Sequence, residues 1–140
     1  MRRRSQPARH PLAVATLLAG LLPSIDAPAG ADNHTVDFNQ DIRPILSDNC
    51  YQCHGPDANQ RKAGLRLDTE AGAFRNEDGV RPFVAGKPSE SEAYRRITTD
   101  DPDDLMPPPD LGRSLTDTEK ELIRRWIEQG ARWQNHWAFI

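Results

Sequence analysis

The chain has 140 residues, 18 Lys and Arg against 21 Asp and Glu, a formal charge of −3, and only 36% apolar residues. That length holds one small domain besides any leader, and the acidic balance argues against nucleic acid, whose binding needs a basic surface. Twelve prolines and a low aliphatic content give no support to a large sheet.

The N-terminus has the three parts of a secretory signal. Arg2, Arg3, Arg4 and Arg9 precede an apolar run from Leu12 to Leu22, and Ala29-Gly30-Ala31 supplies a small-x-small cleavage site. A membrane anchor is the rival reading, but Pro23 and Asp26 end the run well short of the ~20 residues a spanning helix needs. The hydrophobic residue and lysine of a twin-arginine signal do not follow Ser5, which favours the general secretory route. The expected domain arrangement is a signal peptide over 1–31 and one domain over 32–140, exported to the periplasm or cell surface. Cleavage after Ala31 leaves 109 residues with 14 basic and 20 acidic side chains, a charge of −6.

Val36 to Asn49 places Phe38, Ile42, Ile45 and Leu46 at helical spacing behind a capping Asp37, with Pro44 expected to kink the helix. It leads into Cys50-Tyr51-Gln52-Cys53-His54, the spacing at which a polypeptide captures haem covalently. Two thiols three positions apart can add to the two vinyl groups of one porphyrin, and His54 then falls under the iron as its proximal ligand. Two other uses of the spacing compete. A structural zinc needs four ligands, and the chain offers two thiols with His10, His34, His54 and His136 but no second Cys or His pair. A thioredoxin-like dithiol would follow a strand in a βαβ unit, whereas helix precedes Cys50.

Gly55 to Gly86 is punctuated by Gly and Pro. Leu65-Arg66-Leu67 is its only alternating stretch, and Ala71 to Phe74 is long enough for one helical turn. Ser89-Glu90-Ser91-Glu92 has the form of a capping box for a short helix through Ala93, Tyr94 and Ile97 to about Thr98. A Pro- and Asp-rich loop runs from Asp100 to Gly112. Thr116-Asp117-Thr118-Glu119 is a second capping box, opening a helix whose face carries Leu122, Ile123, Trp126 and Ile127 and which Gly130 should end. The tail adds Trp133, Trp137 and Phe139, aromatics expected in the core or against a partner rather than in an electron relay. The predicted fold class is mostly α: three to four helices with long loops around a covalently bound haem, which would supply core that the sequence lacks.

An iron held by His54 needs its sixth position filled if it is to carry electrons without binding small ligands. Met106 is the candidate distal ligand. It is the one methionine besides the initiator, set in Leu105-Met106-Pro107-Pro108-Pro109, where the prolines forbid a helix and are expected to stiffen an extended path. A packing role is its alternative, and His136 and His34 are rival ligands. Asp100, Asp101, Asp103 and Asp104 would favour a basic redox partner if the loop covers the haem edge, and are otherwise a solvated run. Arg95 and Arg96 either neutralise that cluster or pair with haem propionates. No residue pair announces a general acid/base, a nucleophile or a peroxidase-type distal His/Arg site.

Taken together, Phe38-Asn39-Gln40-Asp41-Ile42-Arg43-Pro44-Ile45-Leu46, Cys50 to Asp57, Gly64-Leu65-Arg66-Leu67-Asp68, Gly86-Lys87-Pro88, Leu105-Met106-Pro107-Pro108 and His136-Trp137-Ala138-Phe139 resemble the planctomycete-type cytochrome c domain. The resemblance implies a class I-like cytochrome c fold with its N- and C-terminal helices packed across each other. It implies one haem c with thioether links at Cys50 and Cys53, His54 proximal and Met106 distal. In that family the domain commonly opens a longer exported protein, so a free carrier and the N-terminal piece of a multidomain protein both stand as readings. The expected function is an exported monohaem cytochrome, not an enzyme, that passes single electrons between envelope partners. A haem-based sensor or docking module is the alternative.

Overall fold

The computed structural model describes residues 34–135; the leader, His136, Trp137 and Phe139 lie outside them. The described residues are mostly helical, as expected, and contain no strand beyond an isolated bridge between Glu77 and Val80. Among the described residues there are five α-helices: α1 (Arg43–Asn49), α2 (Tyr51–His54), α3 (Glu70–Ala73), α4 (Glu92–Thr98) and α5 (Asp117–Glu128). The count exceeds the expected three to four because α2 and α3 are single turns.

The chain enters through a π-helical turn, Phe38–Ile42, rather than one kinked α-helix. Asp37 caps it, its carboxylate accepting from the Gln40 N–H at 2.9 Å while Asp41 accepts from the Asp37 N–H at 2.7 Å. The wide turn closes with the Arg43 N–H donating to the Phe38 carbonyl. Pro44 follows immediately and has no N–H to continue an i→i−4 ladder, so the pitch changes here instead of bending later.

After Asn49 the backbone turns at Cys50 (φ −120°, ψ −39°) and resumes as α2. Gly55 stops it. A β-carbon at this position would lie 2.2 Å from the Tyr51 carbonyl oxygen, so only glycine lets the chain leave the turn along this path.

The start of α4 departs from its expected capping box. Ser91 is the cap residue, but its buried hydroxyl donates to the Lys87 carbonyl and accepts from the Val84 N–H, both at 2.9 Å, and makes no capping bond to the helix. Glu92 instead binds Arg95 and Arg96. At α5 the box forms as expected, with Thr116 and Glu119 each accepting from the other's backbone N–H. Gly130, at φ +100°, ends the helix.

Trp126 on α5 centres the core, 1% exposed, with its ring 5.4 Å from Phe38 and 5.1 Å from Phe83. Burying an aromatic of this size stabilises by several kcal/mol, roughly the 3–5 lost on truncation to alanine. Its indole N–H donates to the Arg132 carbonyl at 3.0 Å, so no polar atom is stranded. Trp133 is half-buried. It packs 4.2 Å from Phe38, and the Arg43 guanidinium lies over both rings. The N-terminal turn is thereby held across the end of α5. The Val36 N–H donates to Gln129 at 2.8 Å, Arg43 to the Gln134 carbonyl at 2.6 Å, and Gln134 to Asp37 at 2.9 Å.

Candidate functional site

Cys50, Cys53 and His54 occupy one helical turn, because the Cys53 and His54 N–H groups both donate to the Cys50 carbonyl, at 3.1 and 2.8 Å. The carbonyls that α2 would otherwise leave open at its C-terminus are taken by the following loop. Lys62 N–H donates to Cys53 O at 2.8 Å and Leu67 N–H to His54 O at 2.7 Å. Arg61 donates to the Gly55 and Pro56 carbonyls at 2.9 and 2.7 Å. The segment 61–67 thus anchors the turn from behind. At its end Arg66 and the following Asp68 form a two-pronged pair, at 2.7 and 2.6 Å, where the sequence shows an alternating stretch but the structure has no strand.

All three motif side chains are half-buried. Burial, aided by neighbouring Cys53, pushes the Cys50 thiol up to about 12. A nucleophilic cysteine needs the opposite shift, so this environment disfavours dithiol exchange. His54 is pushed down, first by burial and then by the charges of Arg75 and Arg96. The backbone of Lys62 opposes that shift. The imidazole Nδ1 is buried and has no hydrogen-bond partner. A neutral imidazole is the form that binds a metal.

The second half of the site is the loop carrying Met106. Its entry is tied to α4: Asp104 pairs with Arg95 at 3.3 Å and Arg96 at 3.4 Å, and the Met106 N–H donates to the Arg96 carbonyl at 2.9 Å. Arg95 and Arg96 therefore neutralise Glu92 and Asp104, while Asp100, Asp101 and Asp103 remain exposed. The three prolines do not form the extended path expected of them. The Met106–Pro107 peptide is cis, Pro108 is extended, and Pro109 opens a 3₁₀ turn, Pro109–Leu111. Met106 is half-buried on a cleft of about 270 Å³, bordered by Ile97, Leu105, Pro107, Arg113 and Leu115.

Two arginines relate this cleft to the motif. Arg96 bears the carbonyl that holds Met106, and its charge reaches His54. Arg113, on the cleft wall, donates to the Asp48 carbonyl and to Gln52 of α2. Sequence reasoning missed Arg113, Arg61 and Lys62, which look like ordinary surface charges. Of the rival ligands, His34 is exposed, its carbonyl held by Arg125 and Gln129 at the end of α5. His136 lies outside the described residues.

The donors fit a haem. Two thiols and an imidazole share one turn, and the imidazole carries a buried nitrogen without a partner. Among the described residues no three His, Cys, Asp or Glu side chains are grouped to hold a metal ion. Residues 50–110 match the family model described as Planctomycete cytochrome C, a span that includes Cys50, Cys53, His54 and Met106. Comparison with curated proteins and with solved structures finds no significant match.

Proposed function

The chain carries a planctomycete-type cytochrome c domain, and from that premise we propose that it is an exported monohaem c-type cytochrome carrying single electrons. Cys50 and Cys53 hold haem c through thioethers, His54 is the proximal iron ligand and Met106 the distal one. The observation that carries the reading is the single turn presenting two half-buried sulfurs beside a histidine whose Nδ1 is buried without a partner. When bound, the haem supplies an Fe(III)/Fe(II) couple that takes up and releases one electron.

The protein's own residues do the rest. The 61–67 loop fixes the motif turn, and the low basicity of His54 keeps its imidazole neutral near pH 7. Asp104 and the Arg96 carbonyl fix the approach of Met106, whose half-buried loop would limit access of small ligands. The exposed carboxylates of Asp100, Asp101 and Asp103 support a basic redox partner in the cell envelope. Electron exchange with such a partner should slow with added salt, and a triple Asp→Asn variant that kept the same salt slope would remove this docking surface from the proposal.

The test of the whole reading is a visible spectrum of the protein matured with c-type haem, oxidised and reduced. Haem that resists acid extraction, with a ferric methionine-sulfur band lost in Met106→Ala, is the expected result. Covalent haem without that band points to an open sixth position and a sensor role. No covalent haem refutes the reading.

A further inference from the structure

Met106 sits between two anchors of different kinds. On its N-terminal side the loop is tied to α4, through Asp104 with Arg95 and Arg96 and through the Met106 N–H to the Arg96 carbonyl. On its C-terminal side one residue crosses to the motif. Arg113 donates from Nη1 to the Asp48 carbonyl at 2.9 Å and from Nη2 to Gln52 Oε1 at 2.8 Å. Among the described residues these are the side-chain hydrogen bonds that join the stretch 99–116 to α1 and α2. Both acceptors flank Cys50. Asp48 lies in the last turn of α1, where carbonyls lack helical partners and a cation is favoured, and Gln52 stands between the two cysteines.

We infer that Arg113 is the positioning residue that holds the Met106 loop against the haem-motif helices, and that closure of the iron's sixth position depends on it. This deepens the proposed function and rests on its His/Met ligation. The guanidinium is suited to the task because its planar fork meets two acceptors at once and sets an orientation. An ammonium meets them only as a point charge. Arg113 itself borders the cleft on which Met106 lies, so the clamp acts beside the ligand rather than from a distance.

The test uses the mature haem protein with Arg113→Ala, Arg113→Lys and Met106→Ala, reading the ferric methionine-sulfur band and the affinity for imidazole, which competes with Met106 for the iron. Arg113→Ala should keep covalent haem, weaken the band and bind imidazole about tenfold more tightly, the scale expected for losing hydrogen bonds from a charged donor. Arg113→Lys should fall between it and wild type, and Met106→Ala should show no band. Should Arg113→Ala not mature, Gln52→Ala removes one of the two bonds from an exposed side chain and should shift imidazole affinity in the same direction. A band and imidazole affinity unchanged by loss of Arg113 or Gln52, even with a lower Tm, overturn the inference and leave His/Met ligation standing. A wild-type protein lacking the band overturns both.

Discussion

Glu92 offers the most direct test of how the Met106 loop is supported. One carboxylate oxygen accepts from Arg95 and Arg96, both at 2.7 Å, and the other from Arg95 at 2.9 Å. The same two arginines reach Asp104 on the Met106 side. Arg95 first, and Arg96 with it, lower the Glu92 carboxyl from 4.5 to about 2. Taken at full value, that depression corresponds to about 3 kcal/mol. Glu92 is 27% exposed and Arg95 47%, so solvent screening reduces the contribution to about 1–1.5 kcal/mol, in line with two partly exposed ion pairs. The folded value is the lower one. The stabilisation is therefore complete above the unfolded value of 4.5 and disappears as pH falls toward 2. Urea unfolding of wild type and Glu92→Gln across pH 2–7 isolates this group, because the other carboxylates are common to both proteins. The gap should be about 1–1.5 kcal/mol near neutrality and close below pH 4.5. An equal gap at pH 2 and pH 7, or none at pH 7, would refute the reasoning.

Three further outcomes follow from single positions. Gly55→Ala forces a β-carbon to 2.2 Å from the Tyr51 carbonyl; it should cost about 2 kcal/mol or more and reduce the yield of covalent haem, and normal yield and Tm would show that α2 ends by another route. Thr116→Ala removes one side of the α5 capping box and should cost about 1 kcal/mol, read as a lowered urea midpoint with unchanged visible spectrum. Tyr51→Phe deletes a buried hydroxyl that has no partner; stability should hold or rise by up to about 1 kcal/mol, and a loss of that size would reveal an acceptor for the hydroxyl.

What could be read from the sequence was what neighbouring residues decide among themselves. The α5 box needs only Thr116 and Glu119, and its buried face only the spacing of Ile123, Trp126 and Ile127. The Cys50–His54 turn is likewise local. The start of α4 shows the limit: the sequence has the form of a box capped by Ser89, but the helix begins at Ser91, whose hydroxyl is bonded to the loop at Val84 and Lys87. The pitch change before Pro44 could be anticipated as a disturbance, though not as a π-turn. Least visible are the contacts between distant segments, such as Gln129 to Val36 or Gln134 to Asp37, because a polar side chain leaves no periodic trace of a partner more than 90 residues away.

That division passes through the candidate site itself. In the proposed function, attachment and proximal ligation would rest on five consecutive residues, Cys50 to His54. Placing Met106 is a long-range problem: Arg95 and Arg96, which the sequence pairs with the acidic run or with haem propionates, hold Asp104, while Arg113, which looks like an ordinary surface charge, reaches α1 and α2. The family match spans residues 50–110, which include Cys50, Cys53, His54 and Met106 but not Arg113. The chemistry of the iron would therefore be set by the motif, while its closure to outside ligands would be tuned by arginines that lie outside it in sequence.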